Sequence, residues 1–214
     1  MAGLYADLAA AYVRGRLPQE ARGLDEAALI ALGRAGGLKL HRFKRTMELP
    51  RVRAVLGALR GIMPAKLLDI GTGRGVFLWP LLDAFPDLEV TAVEPDTRRC
   101  EHLEAVRRGG IARLCVVNAD ASRLPYPDGA FDVVTALEVL EHQHDPAPLA
   151  REAVRLAGRF VIASVPSQPD ENPEHVQLFS GDTIAALLRA AGAANVRVDH
   201  VLNHIIAVAR VDRP

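Results

Sequence analysis

The chain has 214 residues, half of them hydrophobic and 24% charged, which is apolar material enough for one sizeable core and too much for a disordered protein. Its 26 basic and 26 acidic side chains cancel, so no global positive field draws it to DNA or to RNA at large, and a nucleic-acid contact would have to be local. No apolar run reaches the ~20 residues of a membrane span. Cys100 and Cys115 are the only cysteines and residues 1–7 form no basic-then-apolar leader, so a reducing, cytoplasmic setting is expected.

From the N-terminus, Ala-rich segments at residues 4–16 and 24–34 read as helices, and an amphipathic helix is predicted near 52–60. Together they make residues 1–63 a helical N-terminal extension or lid, with the rest of the chain, 64–214, as the main domain. Between the helices lies the basic stretch 39–45, with Phe43 among Lys39, His41, Arg42, Lys44 and Arg45. A solvated helix face is the plainer reading of such a charge run. An aromatic there could also stack on a base, the one local hint of RNA.

Short β-branched runs then alternate with helical patterns. Strands are predicted at 66–70, 88–94, 112–118, 131–137 and 159–165, with helices at 75–84, 97–107, 147–156 and 181–191 between them. Ser180 offers an N-cap for the last helix and Gly192 ends it. Runs at 195–201 and 204–210 flank Leu202 and Asn203 and read as a hairpin. Continuous apolar strands separated by helices are the pattern of a parallel sheet buried on both faces. The predicted fold is therefore α/β, doubly wound and Rossmann-like, seven-stranded and mostly parallel, with an antiparallel C-terminal hairpin. Phe77, Trp79, Tyr126 and Phe131 are expected in its core.

The first strand runs into Asp69, Gly71, Thr72, Gly73, Arg74 and Gly75, a tight strand-to-helix turn whose glycines let the backbone approach a ligand. A dinucleotide fingerprint wants its third glycine where Val76 stands, so a pyrophosphate cradle is disfavoured. Asp69 at the strand end can order the loop or accept from a ligand ammonium group. Glu94 ends the second strand, where an acidic side chain grips ribose hydroxyls.

Further on, Glu138, Glu141 and His142 share one face if residues 138–142 open a helix, and His175 follows in a polar loop where a core histidine is not expected. Taken alone, the first three read better as an exposed, dipole-stabilised helix start than as a metal site. With His175 they supply two carboxylates and two imidazoles and no thiolate, a donor set for Mn²⁺, Mg²⁺ or a similar divalent ion. His142 or His175, if not ligated, can serve as a general base, with His144 as a spare.

On its glycine turn and strand-end acids, the chain from about residue 65 to 210 resembles the class I S-adenosylmethionine-dependent methyltransferases. The resemblance implies that Asp69, Gly71 and Gly73 border the methionine half of that cofactor and that Glu94 holds its ribose. It further implies that Asp120, with Ala121 beside it, contacts the adenine amino group, and that Leu137 and Glu138 lie beside the transferred methyl. The Glu-x-x-Glu-His run with a distant histidine is similar to the pattern of metal-dependent O-methyltransferases, namely the RNA 3′-terminal ribose 2′-O-methyltransferases and the ubiquinone-biosynthesis O-methyltransferases. That likeness implies a divalent metal held by Glu138, Glu141, His142 and His175, with Glu138, His142 and His175 catalytic. The acceptor is then a small molecule or an RNA 3′-end. A metal-free small-molecule methyltransferase and a non-catalytic cofactor-binding module are the alternatives, and the oligomeric state is open.

Overall fold

The computed structural model describes residues 3–45, 49–169 and 171–213. Its centre is a seven-stranded sheet of β1 (Lys66–Ile70), β2 (Glu89–Val93), β3 (Leu114–Val117), β4 (Phe131–Leu137), β5 (Ala157–Pro166), β6 (Asn195–Val201) and β7 (His204–Arg210). The strand order is β3-β2-β1-β4-β5-β7-β6, with only β7 antiparallel to its neighbours β5 and β6. Leu67, Leu68, Asp69 and Ile70 are all buried, as expected of a strand covered on both faces. This is the predicted Rossmann-like methyltransferase fold. Because β1 pairs with β2 on one side and β4 on the other, the sheet reverses direction at β1 and a crevice opens above the strand ends.

Helices α1 (Ala6–Arg16), α2 (Glu26–Ala35) and α3 (Pro50–Ile62) precede the sheet, and α4 (Leu78–Ala84), α5 (Thr97–Arg108), α6 (Ala147–Leu156) and α7 (Gly181–Ala190) link its strands. Ser180 caps α7 as expected, its hydroxyl accepting from Thr183 N–H within a reciprocal capping box. The fourth helix begins three residues later than predicted. Gly75 sits at φ 83, outside the helical region, and a Cβ there would lie 2.2 Å from the Trp79 ring, so the turn persists until Trp79 is packed.

Helix α1 lies unusually close to α5. A Cβ on Gly15 would meet Ala105 O at 1.8 Å, and one on Gly109 would meet Ala11 O at 1.7 Å. Glycine at both points lets the two backbones touch, and Ala9, Ala10, Tyr12 and Val13 are buried in a core that continues through Leu67 and Val90 of the sheet. The N-terminal helices thus share the sheet's core.

Candidate active site

At the end of β1, Asp69 is buried and accepts hydrogen bonds from Thr135 Oγ1 (2.8 Å) and Thr72 Oγ1 (2.9 Å). Burial pushes its carboxyl up to about 6; the two hydroxyls oppose that rise and nearby Glu94 adds to it. Gly71 follows at φ 70, where a Cβ would lie 2.5 Å from Val139 Cγ2, so both conformation and space call for glycine. Glu94, buried at the β2 end, ties the loop down by accepting from Gly73 N–H (2.7 Å) and Asp96 N–H (3.0 Å), with Arg99 Nη1 at 3.4 Å. Asp120 stands exposed beyond β3, accepting from Ser122 N–H at 2.7 Å, and hydrogen bonding from Ser122 holds its carboxyl below the usual range.

Two adjoining cavities open over these groups. The larger, about 540 Å³, is lined by Asp69, Gly73, Glu94, Leu137, Glu138 and His142 among others. The smaller, about 200 Å³, is lined by Asp120 and Ala121 and shares Gly71, Pro95 and Val139 with the first. All seven residues expected to hold a cofactor therefore face one continuous crevice.

The segment after β4 departs from the predicted helix. Glu138 has φ 59, a left-handed conformation that breaks any helix there, and only Leu140–His142 form a short 3₁₀ turn. The shared-face argument therefore fails for Glu138. Its carboxylate turns to Ser164 Oγ (2.7 Å) and His204 Nε2 (3.1 Å), with Arg51 Nε at 3.7 Å. Neither His204 nor Arg51 was anticipated. The one sequence signal for His204 was an imidazole opening an otherwise apolar strand.

Glu141, His142 and His175 do converge, one ligand atom from each lying within 4.8 Å of the others. Among the described residues no other group of three potential ligands comes together, and Glu138 is outside this one. Glu141 is fully buried, with its carboxylate 4.0 Å from His175 Nε2. The two imidazoles meet edge-on with centroids 4.8 Å apart. His142 Nδ1 lies 2.9 Å from Glu174 O, and since a carbonyl only accepts, Nδ1 carries a proton and the neutral ring presents the Nε2 lone pair. Backbone bonds hold the His175 loop in place: Val176 N–H (2.9 Å) and Gln177 N–H (3.2 Å) both donate to Glu141 O. Gln177 Nε2 also donates to Gln143 O and His144 O, leaving the His144 side chain exposed. A divalent ion with bonds of ~2.1 Å wants ligand atoms about 3–4 Å apart, so this donor set fits one after a small contraction.

Within the basic stretch Leu40 and Phe43 enter the core while Lys39, His41, Lys44 and Arg45 are exposed. Phe43 is fully buried, with its ring 5.5 Å from Tyr12 and 4.9 Å from Trp79. Arg45 lies over Tyr5 and pairs with both oxygens of Asp83. Base stacking by Phe43 is thereby overturned, because its faces are already covered.

The strand order and the crevice above the strand ends are those of the Rossmann-like methyltransferase fold. Residues 68–161 match the family model described as a methyltransferase domain. The chain is 32% identical over 156 residues to 27-O-demethylrifamycin SV methyltransferase of Amycolatopsis mediterranei, a match covering 63% of this chain and 57% of that protein. It is 30% identical over 96 residues to ajmaline N-methyltransferase of Rauvolfia serpentina, covering 44% of this chain and 33% of that protein. Among solved structures, the N-terminal domain of EvdMO1 with S-adenosylhomocysteine bound superposes with a TM-score of 0.59 at 20% identity, covering 76% of this chain and 80% of that one. The chain thus spans between about a third and three-fifths of the length of these two curated relatives. Among the described residues no helix is long and apolar enough to cross a membrane.

Proposed function

We propose that this protein transfers the methyl group of S-adenosylmethionine to a hydroxyl oxygen, assisted by a divalent metal such as Mn²⁺ or Mg²⁺. The acceptor class is a vicinal diol, a catechol or a ribose 2′-hydroxyl. The observation that carries this reading is the meeting of Glu141, His142 and His175 from two separate segments, with His142 on the wall of the larger cavity.

In this reading Asp69 and the Gly71 and Gly73 backbone receive the methionine half of the cofactor, Glu94 the ribose hydroxyls, and Asp120 with Ala121 the adenine. Leu137 closes the cavity beside the methyl. The buried Glu141 carboxylate, His142 Nε2 and His175 would hold the ion. When bound, a divalent ion lowers the pKa of an oxygen on it and fixes that oxygen's position. The protein's own work is alignment: displacement at a sulfonium methyl needs the nucleophile in line with the departing sulfur, and a rigid crevice supplies that. Glu174 O selects the Nδ1–H tautomer of His142, in which the neutral ring offers Nε2 to an ion.

The test is transfer of a labelled methyl group to catechol and to adenosine by the metal-loaded chain, before and after EDTA. Loss of transfer on chelation and its return with Mn²⁺ support the reading. Transfer that EDTA leaves untouched removes the metal and favours the metal-free methyltransferase, with His142 lining the pocket. Cofactor binding without turnover on any acceptor favours the non-catalytic module.

A further inference from the structure

Glu138 holds a left-handed conformation that costs a residue with a Cβ energy, and such strain gathers where function needs a group in one place. What surrounds it explains why a glutamate stays there. Oε1 accepts from Ser164 Oγ at 2.7 Å, while Oε2 faces His204 Nε2 at 3.1 Å and Arg51 Nε at 3.7 Å. A carboxylate only accepts, so the His204 proton is on Nε2. The three partners come from β5, β7 and α3, and Glu138 N–H itself donates to Ser164 O at 2.9 Å. Register makes this meeting possible: Leu137 pairs with Ser164 across β4 and β5, and His204 pairs with Pro166 across β7 and β5. The result is a carboxylate fixed in direction, yet on the wall of the larger cavity between Leu137, Val139 and His142.

We infer that Glu138 is a catalytic residue that touches the acceptor, receiving the hydrogen bond of its O–H, and that Ser164 and His204 are positioning residues acting through it. This rests on the oxygen-acceptor reading above but not on its metal. As the acceptor oxygen bonds to the methyl carbon, the carbon–sulfur bond breaks and its electron pair stays on sulfur. The acceptor's proton passes to a Glu138 carboxylate oxygen and from there to solvent. An oxygen that has gained a methyl while still protonated is far more acidic than a carboxylic acid, so a carboxylate takes its proton readily. An alkylamine, whose conjugate acid has a pKa near ~10, is an ammonium at neutral pH, and a carboxylate is too weak a base to free its lone pair. The site therefore selects oxygen over nitrogen acceptors.

The experiment uses the full chain with S-adenosylmethionine and four probes: catechol, phenol and adenosine for oxygen, benzylamine for nitrogen. Wild type is expected to methylate at least one oxygen probe and not benzylamine. Glu138→Gln should lower kcat on that probe by about 100-fold or more, with cofactor affinity within about threefold and Tm within ~2 °C of wild type. His204→Gln, whose amide reproduces the Nε2 donor, should keep kcat within about fivefold, whereas His204→Leu should lose at least about tenfold with KM little changed. A packing role for His204 would instead favour Leu over Gln. If Glu138→Gln prevents folding, Glu138→Asp, which keeps the charge but withdraws it, is read by the same criteria. A Glu138→Gln kcat within about threefold of wild type overturns the assignment alone, as does cofactor affinity falling in step with kcat. Methylation of benzylamine only, or of no probe, overturns the oxygen-acceptor reading and this inference with it.

Discussion

Burying Asp69 beside the cofactor crevice costs the empty protein stability, and Asp69→Asn should recover it. With the carboxyl raised from 3.8 to about 6 in the folded state, the folded chain holds a proton more tightly than the unfolded one. The sign follows directly: stability falls as pH rises from about 4 to about 6, because the unfolded state releases its proton first. Above that window the loss is complete, and a shift of about two units amounts to about 3 kcal/mol. Asn is isosteric, and its amide can still bond Thr135 and Thr72. Asp69→Asn should therefore raise Tm at pH 8 by about 6–12 °C, allowing about 2–4 °C per kcal/mol for a chain of this size. The gain should shrink to about half at pH 5 and about a fifth at pH 4, and vanish below about pH 3. Cofactor affinity should move the other way. A sulfonium and ammonium ligand favours the ionised carboxylate, so wild type should bind S-adenosylmethionine about tenfold more weakly at pH 5 than at pH 7.5, and Asp69→Asn should lose that dependence. Thermal unfolding across pH, paired with calorimetric titration, reads both effects. An Asp69→Asn variant that melts lower by the same amount at every pH would refute the reasoning, since its carboxylate would then be a net stabilising partner.

Other perturbations have equally definite outcomes. Gly109→Ala drives a methyl into Ala11 O and should destabilise the chain by about 1–3 kcal/mol in chemical denaturation, with cofactor affinity retained once folded. Phe43→Ala should cost about 3–5 kcal/mol while leaving affinity for a single-stranded RNA oligonucleotide, measured by fluorescence anisotropy, unchanged. Gly71→Ala meets both an unfavourable φ and Val139, and should weaken S-adenosylmethionine binding by about tenfold or more in calorimetry. Glu141→Ala and His175→Ala should each weaken Mn²⁺ binding by at least about tenfold without altering cofactor affinity, as equilibrium dialysis would show.

The sheet was legible because its signals are local and redundant. Apolar β-branched runs, glycine turns and strand-end acids each point to the same doubly wound order, and the residues that face the crevice sit where that order brings strand ends together. The candidate metal group was legible in part. His175 stood out because an imidazole in a polar loop has no core to join, whereas Glu138 misled because helical spacing presumes a helix. The left-handed turn at Glu138 is set by partners on β5, β7 and α3, which no local pattern encodes. The same holds for Phe43. Five basic or imidazole neighbours suggest solvent or a nucleic acid, yet Tyr12 and Trp79, distant in sequence, enclose its ring. Side chains whose role depends on long-range neighbours escaped the sequence, and those placed by secondary structure alone did not.

The claim at the centre is that a cation sits where residues 141, 142 and 175 meet. Electron paramagnetic resonance of the full chain titrated with Mn²⁺ in the presence of S-adenosylmethionine tests it most directly, since couplings to imidazole nitrogen report coordination. One bound Mn²⁺ per chain is predicted, with coupling to two imidazole nitrogens, one of which disappears in His175→Ala. Absence of bound Mn²⁺, or a spectrum identical in wild type and His175→Ala, would contradict the account.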